Sequence, residues 1–320
     1  MGEKVNTCEK IKIGGVEQYV RIKSDNTDNP ILLYAHGGPG MSETPMLMGF
    51  NGPLAKDFVL TTWDQRGAVN SSSKDIPKET MNINQFVDDA HELVKILKER
   101  FNKEKVYFVG HSWGSVLGMK LIEKYPNDFY AYVGVGQLVY GAENERLSYE
   151  HIYKKVKEAG DKKGVEKLED IGSPKDGKYK SGYDGLIAQR ELLLKYGGVL
   201  HRWKNYNAFI LKYLFTRGYG IFGVIKLFGS LKSSCEAMWD EMMKVNFINE
   251  IPETKIPVYF VMGRHDYNTP FVIAKEYMNK LNAPKKELIW FENSAHYPNY
   301  EEPEKFNRLM AEKVKAETLK

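Results

Sequence analysis

Val106-Tyr107-Phe108-Val109-Gly110-His111-Ser112-Trp113-Gly114-Ser115 is the stretch on which the reading of this chain turns. Four apolar, strand-forming residues run into Gly-His-Ser-Trp-Gly, and a helical pattern follows at once. A G-x-S-x-G pattern between a strand and a helix is the nucleophile elbow, which presents a serine hydroxyl above a sheet. It predicts Ser112 at a strained, positive φ. Residues two places to either side would crowd one another, so Gly110 and Gly114 carry no side chain. The helix behind opens with free N–H groups aimed where negative charge develops in acyl transfer.

Outward from the elbow, strands and helices alternate. Residues 8–24 read as a β-hairpin turning at Gly14-Gly15. Ile31-Leu32-Leu33-Tyr34-Ala35 is a continuous apolar strand ending in His36-Gly37-Gly38-Pro39-Gly40, and Phe58 to Trp63 is a strand ending in Asp64-Gln65-Arg66-Gly67. Asn82 to Phe101 carries apolar residues at helical spacing. Phe129 to Val135 is strand-like, and strands resume at Val258 to Met262 and Leu288 to Phe291. This order predicts a mostly parallel, doubly wound α/β sheet with its ligand site beyond the carboxyl ends of the strands. The rhythm changes between residues 138 and 250, where amphipathic and aromatic stretches predict a mostly helical cap inserted into a core of residues 1–137 and 251–320. Residues 301–317 predict a closing amphipathic helix.

Composition excludes several classes. The 320 residues hold 46 basic and 42 acidic side chains spread along the chain, a net charge of +4, with no dense basic block for nucleic acid. No apolar run approaches the roughly 20 residues of a membrane span, and the N-terminus has no apolar signal core. Cys8 and Cys235 form no metal or redox spacing. A cytoplasmic protein with free thiols is expected.

A serine hydroxyl needs a base to take its proton, and the base needs an acid to fix its tautomer. Downstream of Ser112, Gly263-Arg264-His265-Asp266 leaves one strand and Ser294-Ala295-His296-Tyr297-Pro298 leaves the next. His91 lies in a helical pattern, and His151 and His201 lie in the cap. His36 braces the glycine loop, His111 is too close to Ser112 to reach its hydroxyl, and His265 adjoins the acid. Asp266 and His296 are therefore the candidate acid and base. The Trp113 N–H is one oxyanion donor, and Gly38 of the glycine loop is the second. His91-Glu92 lacks the second histidine of H-E-x-x-H, so no metal is expected.

Taken together, His36-Gly-Gly-Pro-Gly40, Trp63-Asp-Gln-Arg-Gly67, Gly110-His-Ser-Trp-Gly-Ser115, Gly263-Arg-His-Asp266 and Ala295-His-Tyr-Pro298 resemble the α/β hydrolases of the prolyl iminopeptidase-like group. The resemblance implies an α/β-hydrolase fold, the triad Ser112, Asp266 and His296, oxyanion donors Gly38 and Trp113, and no cofactor. In that family, cap glutamates pair with the substrate's free α-amine. Here the nearest counterpart of the family's W-x-x-W-E stretch is Trp203-Lys204-Asn205-Tyr206-Asn207, with Asn207 in the glutamate's place. An amide accepts a hydrogen bond from an ammonium without neutralising its charge. Gly37, Glu191 and Asn207 are the candidate substrate contacts, and Glu143, Glu145 and Glu236 are further carboxylates that could replace the missing one. The expected activity is acyl-enzyme hydrolysis of a small amide or ester, with release of an N-terminal residue from a short peptide as one form. A carboxylesterase of apolar esters, its acyl pocket lined from Phe209 to Leu231, and a ligand-binding protein with little turnover are the alternatives.

Overall fold

The computed structural model describes residues 2–319. Strands β1 (Val5–Ile13), β2 (Val16–Ser24), β3 (Ile31–Ala35), β4 (Val59–Asp64), β5 (Val106–His111), β6 (Phe129–Val135), β7 (Val258–Gly263) and β8 (Lys286–Phe291) form one sheet. Their spatial order is β1-β2-β4-β3-β5-β6-β7-β8. The β1–β2 and β2–β4 pairs are antiparallel, and the pairs from β4 to β8 are parallel. The predicted hairpin is β1–β2, and its turn residues Gly14 and Gly15 have φ values of 56° and 82°.

The central strands are apolar throughout because both sheet faces are covered. In β3 and β5, Leu33, Val106 and Phe108 enter one core layer, whereas Leu32, Tyr34, Tyr107 and Val109 enter the other. All are essentially inaccessible. Burying such a side chain stabilises the fold by about 1.5–3 kcal/mol.

Three helices frame the elbow: α1 (Thr44–Phe50), α2 (Ile83–Phe101) and α3 (Trp113–Lys124). Asn82 caps α2, its side chain accepting from the Gln85 N–H at 2.9 Å. The helix α3 starts directly at the residue after Ser112.

Between β6 and β7 the chain forms α4 (Gly141–Glu158), α5 (Lys162–Ile171), α6 (Tyr183–Lys195), α7 (Asn207–Phe215), α8 (Gly220–Lys244) and α9 (Phe247–Glu250). The two ends of this excursion meet. Tyr140 bridges Asn246, the Gly141 N–H donates to the Val245 carbonyl at 3.0 Å, and the Phe247 N–H donates to the Val139 carbonyl at 2.9 Å.

Some local expectations change. In the predicted helical segment, α7 begins at Asn207 and α8 runs on past the aromatic stretch to Lys244. The expected C-terminal helix is a series of short pieces, Pro298–Glu301, Pro303–Arg308, a π-helical turn Leu309–Val314 and Lys315–Thr318. Pro303 has no N–H to continue the helical ladder across the first junction. After β7, helix α10 (Phe271–Lys280) packs back toward β8.

Candidate active site

The loops after β3, β5, β7 and β8 converge at the carboxyl ends of their strands. Ser112 has φ 53° and ψ −117°, a conformation costing about 1–3 kcal/mol that the surroundings must over-determine. They do so through hydrogen bonds. The Ser112 N–H donates to the Val135 carbonyl at 3.0 Å, and the Ser115 hydroxyl donates to the Ser112 carbonyl at 2.5 Å. The flanking glycines are steric necessities. A Cβ on Gly110 would lie 2.2 Å from the Gly114 carbonyl oxygen, and one on Gly114 would lie 2.2 Å from the Ala35 carbonyl oxygen.

Asp266 and His296 meet as the sequence predicts. His296 Nδ1 lies 3.0 Å from Asp266 Oδ2. The same Asp266 oxygen accepts from the Thr269 hydroxyl at 2.8 Å, and Oδ1 accepts from the N–H groups of Asn268 and Thr269, both at 2.9 Å. With Asp266 accepting on both oxygens, His296 donates from Nδ1, and its Nε2 is left as the ring's acceptor nitrogen. Burial lowers the His296 pKa below 6.5 against the opposing pull of Asp266. The His296 N–H donates to the Val199 carbonyl at 3.0 Å.

Beneath the serine lies an ion pair that sequence reasoning did not find. His111 Nδ1 is 2.7 Å from Glu43 Oε1, and both side chains are buried. His111 Nε2 donates to the His296 carbonyl at 2.9 Å. Glu43 also accepts from the Gly37 N–H at 2.9 Å and from the Tyr34 and Tyr300 hydroxyls at 2.6 and 2.8 Å. Burial pushes the Glu43 pKa up, but His111 and these donors outweigh it and hold the carboxyl at about 2. Burial likewise pushes His111 down, and Glu43 prevails to raise its pKa above 6.5. Glu43 thus ties the glycine loop to the floor of the elbow, and His111 ties that floor to the His296 backbone. Glu43 follows the glycine loop in no motif, so only the packing reveals it.

His36 braces the glycine loop as expected. It donates from Nδ1 to the Gly37 carbonyl at 2.8 Å and accepts at Nε2 from the Gln65 N–H at 3.0 Å. Burial lowers its pKa to about 4, so it is neutral. Gln65 in turn bonds the His36 carbonyl and the Trp113 indole N–H. As the first residue of α3, Trp113 has a backbone N–H with no intrahelical acceptor. Gly38, at φ 111°, lines the same cavity as Ser112.

That cavity, about 170 Å³, brings Ser112, His296, Gly38 and Thr269 together with Glu145, Arg190, Tyr206 and Leu231 from the helical segment above. It is comparable to a pocket that holds one aromatic ring. A larger open depression of about 590 Å³ lies near Tyr19, Arg21 and Arg217, but it brings no histidine to a nucleophile. Among the described residues, no three His, Cys, Asp or Glu side chains group as a metal site.

Three expected substrate contacts lie otherwise. Glu191 is exposed and pairs with Lys167 at 2.6 Å. Asn207 is exposed at the start of α7, its N–H held by Asn205. Gly37 adjoins the serine, but its N–H is committed to Glu43. Of the other carboxylates, Glu143 pairs with Arg146 and Glu236 lies near Lys232 at the surface. Glu145 alone of the four glutamates lines the cavity, buried and 2.5 Å from Arg190 Nη2. The stretch Phe209 to Leu231 contributes only Leu231 to the cavity lining.

Residues 54–172 match the serine aminopeptidase S33 family. The chain is 32% identical to a probable aminopeptidase, YbaC, of Bacillus subtilis, covering 97% of this chain and 96% of that one. It is 25% identical to the proline iminopeptidase of Saccharolobus solfataricus, over 97% and 93% of the two chains. The crystal structure of the Mycobacterium smegmatis proline iminopeptidase superposes with a TM-score of 0.63 at 18% identity, over 98% and 99% of the chains.

Proposed function

The chain belongs to the prolyl iminopeptidase-like group of α/β hydrolases, and from that membership we propose a serine hydrolase that removes the N-terminal residue of short peptides through an acyl-enzyme. The observation that carries this reading is His296, hydrogen-bonded to Asp266 and lining one cavity with a strained Ser112. Ser112 Oγ attacks the carbonyl as His296 Nε2 takes its proton, and Asp266 holds the imidazole in the required tautomer. The oxyanion is met by the N–H groups of Trp113 and Gly38. His296 then passes the proton to the leaving amine, and water attacks the ester by the reverse sequence. The segment 138–250 acts as a cap that limits the acyl side to a small residue. Glu145 is the carboxylate placed to receive the substrate's ammonium group, with Arg190 already beside it.

A panel of fluorogenic amides and nitrophenyl esters tests the proposal. Prolyl and other aminoacyl naphthylamides with a free amine should be cleaved, and N-acetylated counterparts should not. Ser112→Ala should lose at least about a thousandfold in kcat and all labelling by a fluorophosphonate. Ester turnover with no cleavage of any aminoacyl amide would favour a carboxylesterase instead. Absence of both turnover and labelling would leave a binding protein.

A further inference from the structure

The α7–α8 hairpin carries a surface that the hydrolytic site does not use. Phe215 is 85% exposed at the end of α7, and Phe222 is 75% exposed at the start of α8. Ile221, Ile225 and Phe228 follow at helical spacing on one face of α8, all exposed, and Leu211 and Leu214 extend the apolar surface along α7. Among the described residues, Val272 and Leu319 are the only large apolar side chains outside this hairpin that are comparably exposed. Scattered surface apolar residues are ordinary, but a cluster of this size marks an interaction surface.

Charge says what it meets. From Asn207 to Cys235 the chain holds Lys212, Arg217, Lys226 and Lys232 and no aspartate or glutamate, in a protein whose basic and acidic residues otherwise nearly balance. Arg217 and Lys226 form no ion pair among the described residues. Arg217 also joins Arg21 at the large open depression beside the hairpin turn. We propose that the tip of the α7–α8 hairpin docks peripherally on a bilayer containing anionic lipid. The phenylalanines and isoleucines enter the headgroup–acyl boundary, and the basic side chains face the phosphates. No described helix is long and apolar enough to cross a membrane, so the contact is interfacial. A second copy of this chain fits less well, because a two-fold contact would set the same basic tip against itself.

The experiment is co-sedimentation of the full-length protein with vesicles of phosphatidylcholine alone and of phosphatidylcholine with about one third phosphatidylglycerol. Binding to the anionic vesicles is expected, at least about tenfold weaker on neutral vesicles and weakened by roughly 0.5 M NaCl. Phe215→Ser with Phe222→Ser, and separately Arg217→Gln with Lys226→Gln, should each reduce it about tenfold. Hydrolysis of a soluble ester and the melting temperature should stay at wild-type values, showing that the fold is intact. No binding to anionic vesicles would overturn the proposal, as would equal binding to both vesicle types or unchanged binding by the folded variants. Dimers that dissociate in the phenylalanine variant, with no vesicle binding, would assign the face to a second copy instead.

Discussion

His296 is neutral and buried, and burial outweighs Asp266 in setting its pKa below 6.5. If it is the base, kcat/KM falls only as pH drops through that lowered value. A pH–rate profile should therefore place the acidic limb below 6.5, and a midpoint above 7 would contradict the assignment. Glu43 supplies a second test. Its folded pKa lies below the ordinary value, so its contribution to stability is present above about pH 4.5 and is lost as pH falls toward 2. His111 has the opposite sign: its contribution is complete below about 6.5 and is lost as pH rises through its raised value. The pair contributes most between these limits. Glu43→Gln removes one partner of a buried pair and should cost about 3–5 kcal/mol. The variant's melting temperature should fall less steeply than the wild type's between pH 4.5 and 3. A parallel decline would show that Glu43 is not the titrating group.

At the scale of the element, the strand–elbow–helix unit leaves no room for a methyl group. The Cβ of an alanine at 114 would meet the carbonyl oxygens of Ala35 and His36 at 2.2 and 2.8 Å, and both belong to backbone that cannot rotate away. Overpacking of this kind costs about 1–3 kcal/mol and here would separate β3 from α3. The glycine loop after β3 and the start of α3 hold the two proposed oxyanion donors, so Gly114→Ala should lower kcat at least about a hundredfold while KM changes little. Steady-state kinetics beside a melting curve checks this. A variant with wild-type kcat would show that the two donors are not held by this contact.

Across the whole molecule, Arg66 joins parts that are distant in sequence. Its Nε and Nη2 grip Asp89 of α2 at 3.0 and 2.9 Å, and Nη2 also donates to the Gly14 carbonyl in the β1–β2 turn at 2.8 Å. Gln18 Nε2 donates to the same aspartate at 2.6 Å, and Gln18 Oε1 accepts from the Trp63 indole N–H at 3.1 Å. Both members of the ion pair are buried. Arg66→Met strands a carboxylate in the core and should cost about 3–5 kcal/mol, measured by urea or thermal unfolding. A loss under 1 kcal/mol would mean that Asp89 finds other partners or a proton.

Local chemistry determined a large part of this protein. The alternation of apolar strands and helices, Gly110 and Gly114 around Ser112, and the loops after successive strands placed the sheet, the elbow, Asp266 and His296. These signals are readable because strand period, turn sterics and chain order act over a few residues. The tertiary structure alone decided what surrounds them. Glu43 belongs to no motif and is known only through His111, Tyr34, Tyr300 and Gly37, which close around it from three separate segments. In the helical segment, Glu191 and Asn207 face solvent whereas Glu145 turns inward to Arg190. The direction of a polar side chain on an amphipathic helix depends on what the helix packs against, and composition does not encode that. The apolar stretch from Phe209 to Leu231 shows the same limit, because hydrophobicity without a known neighbour does not distinguish a pocket lining from an outer face.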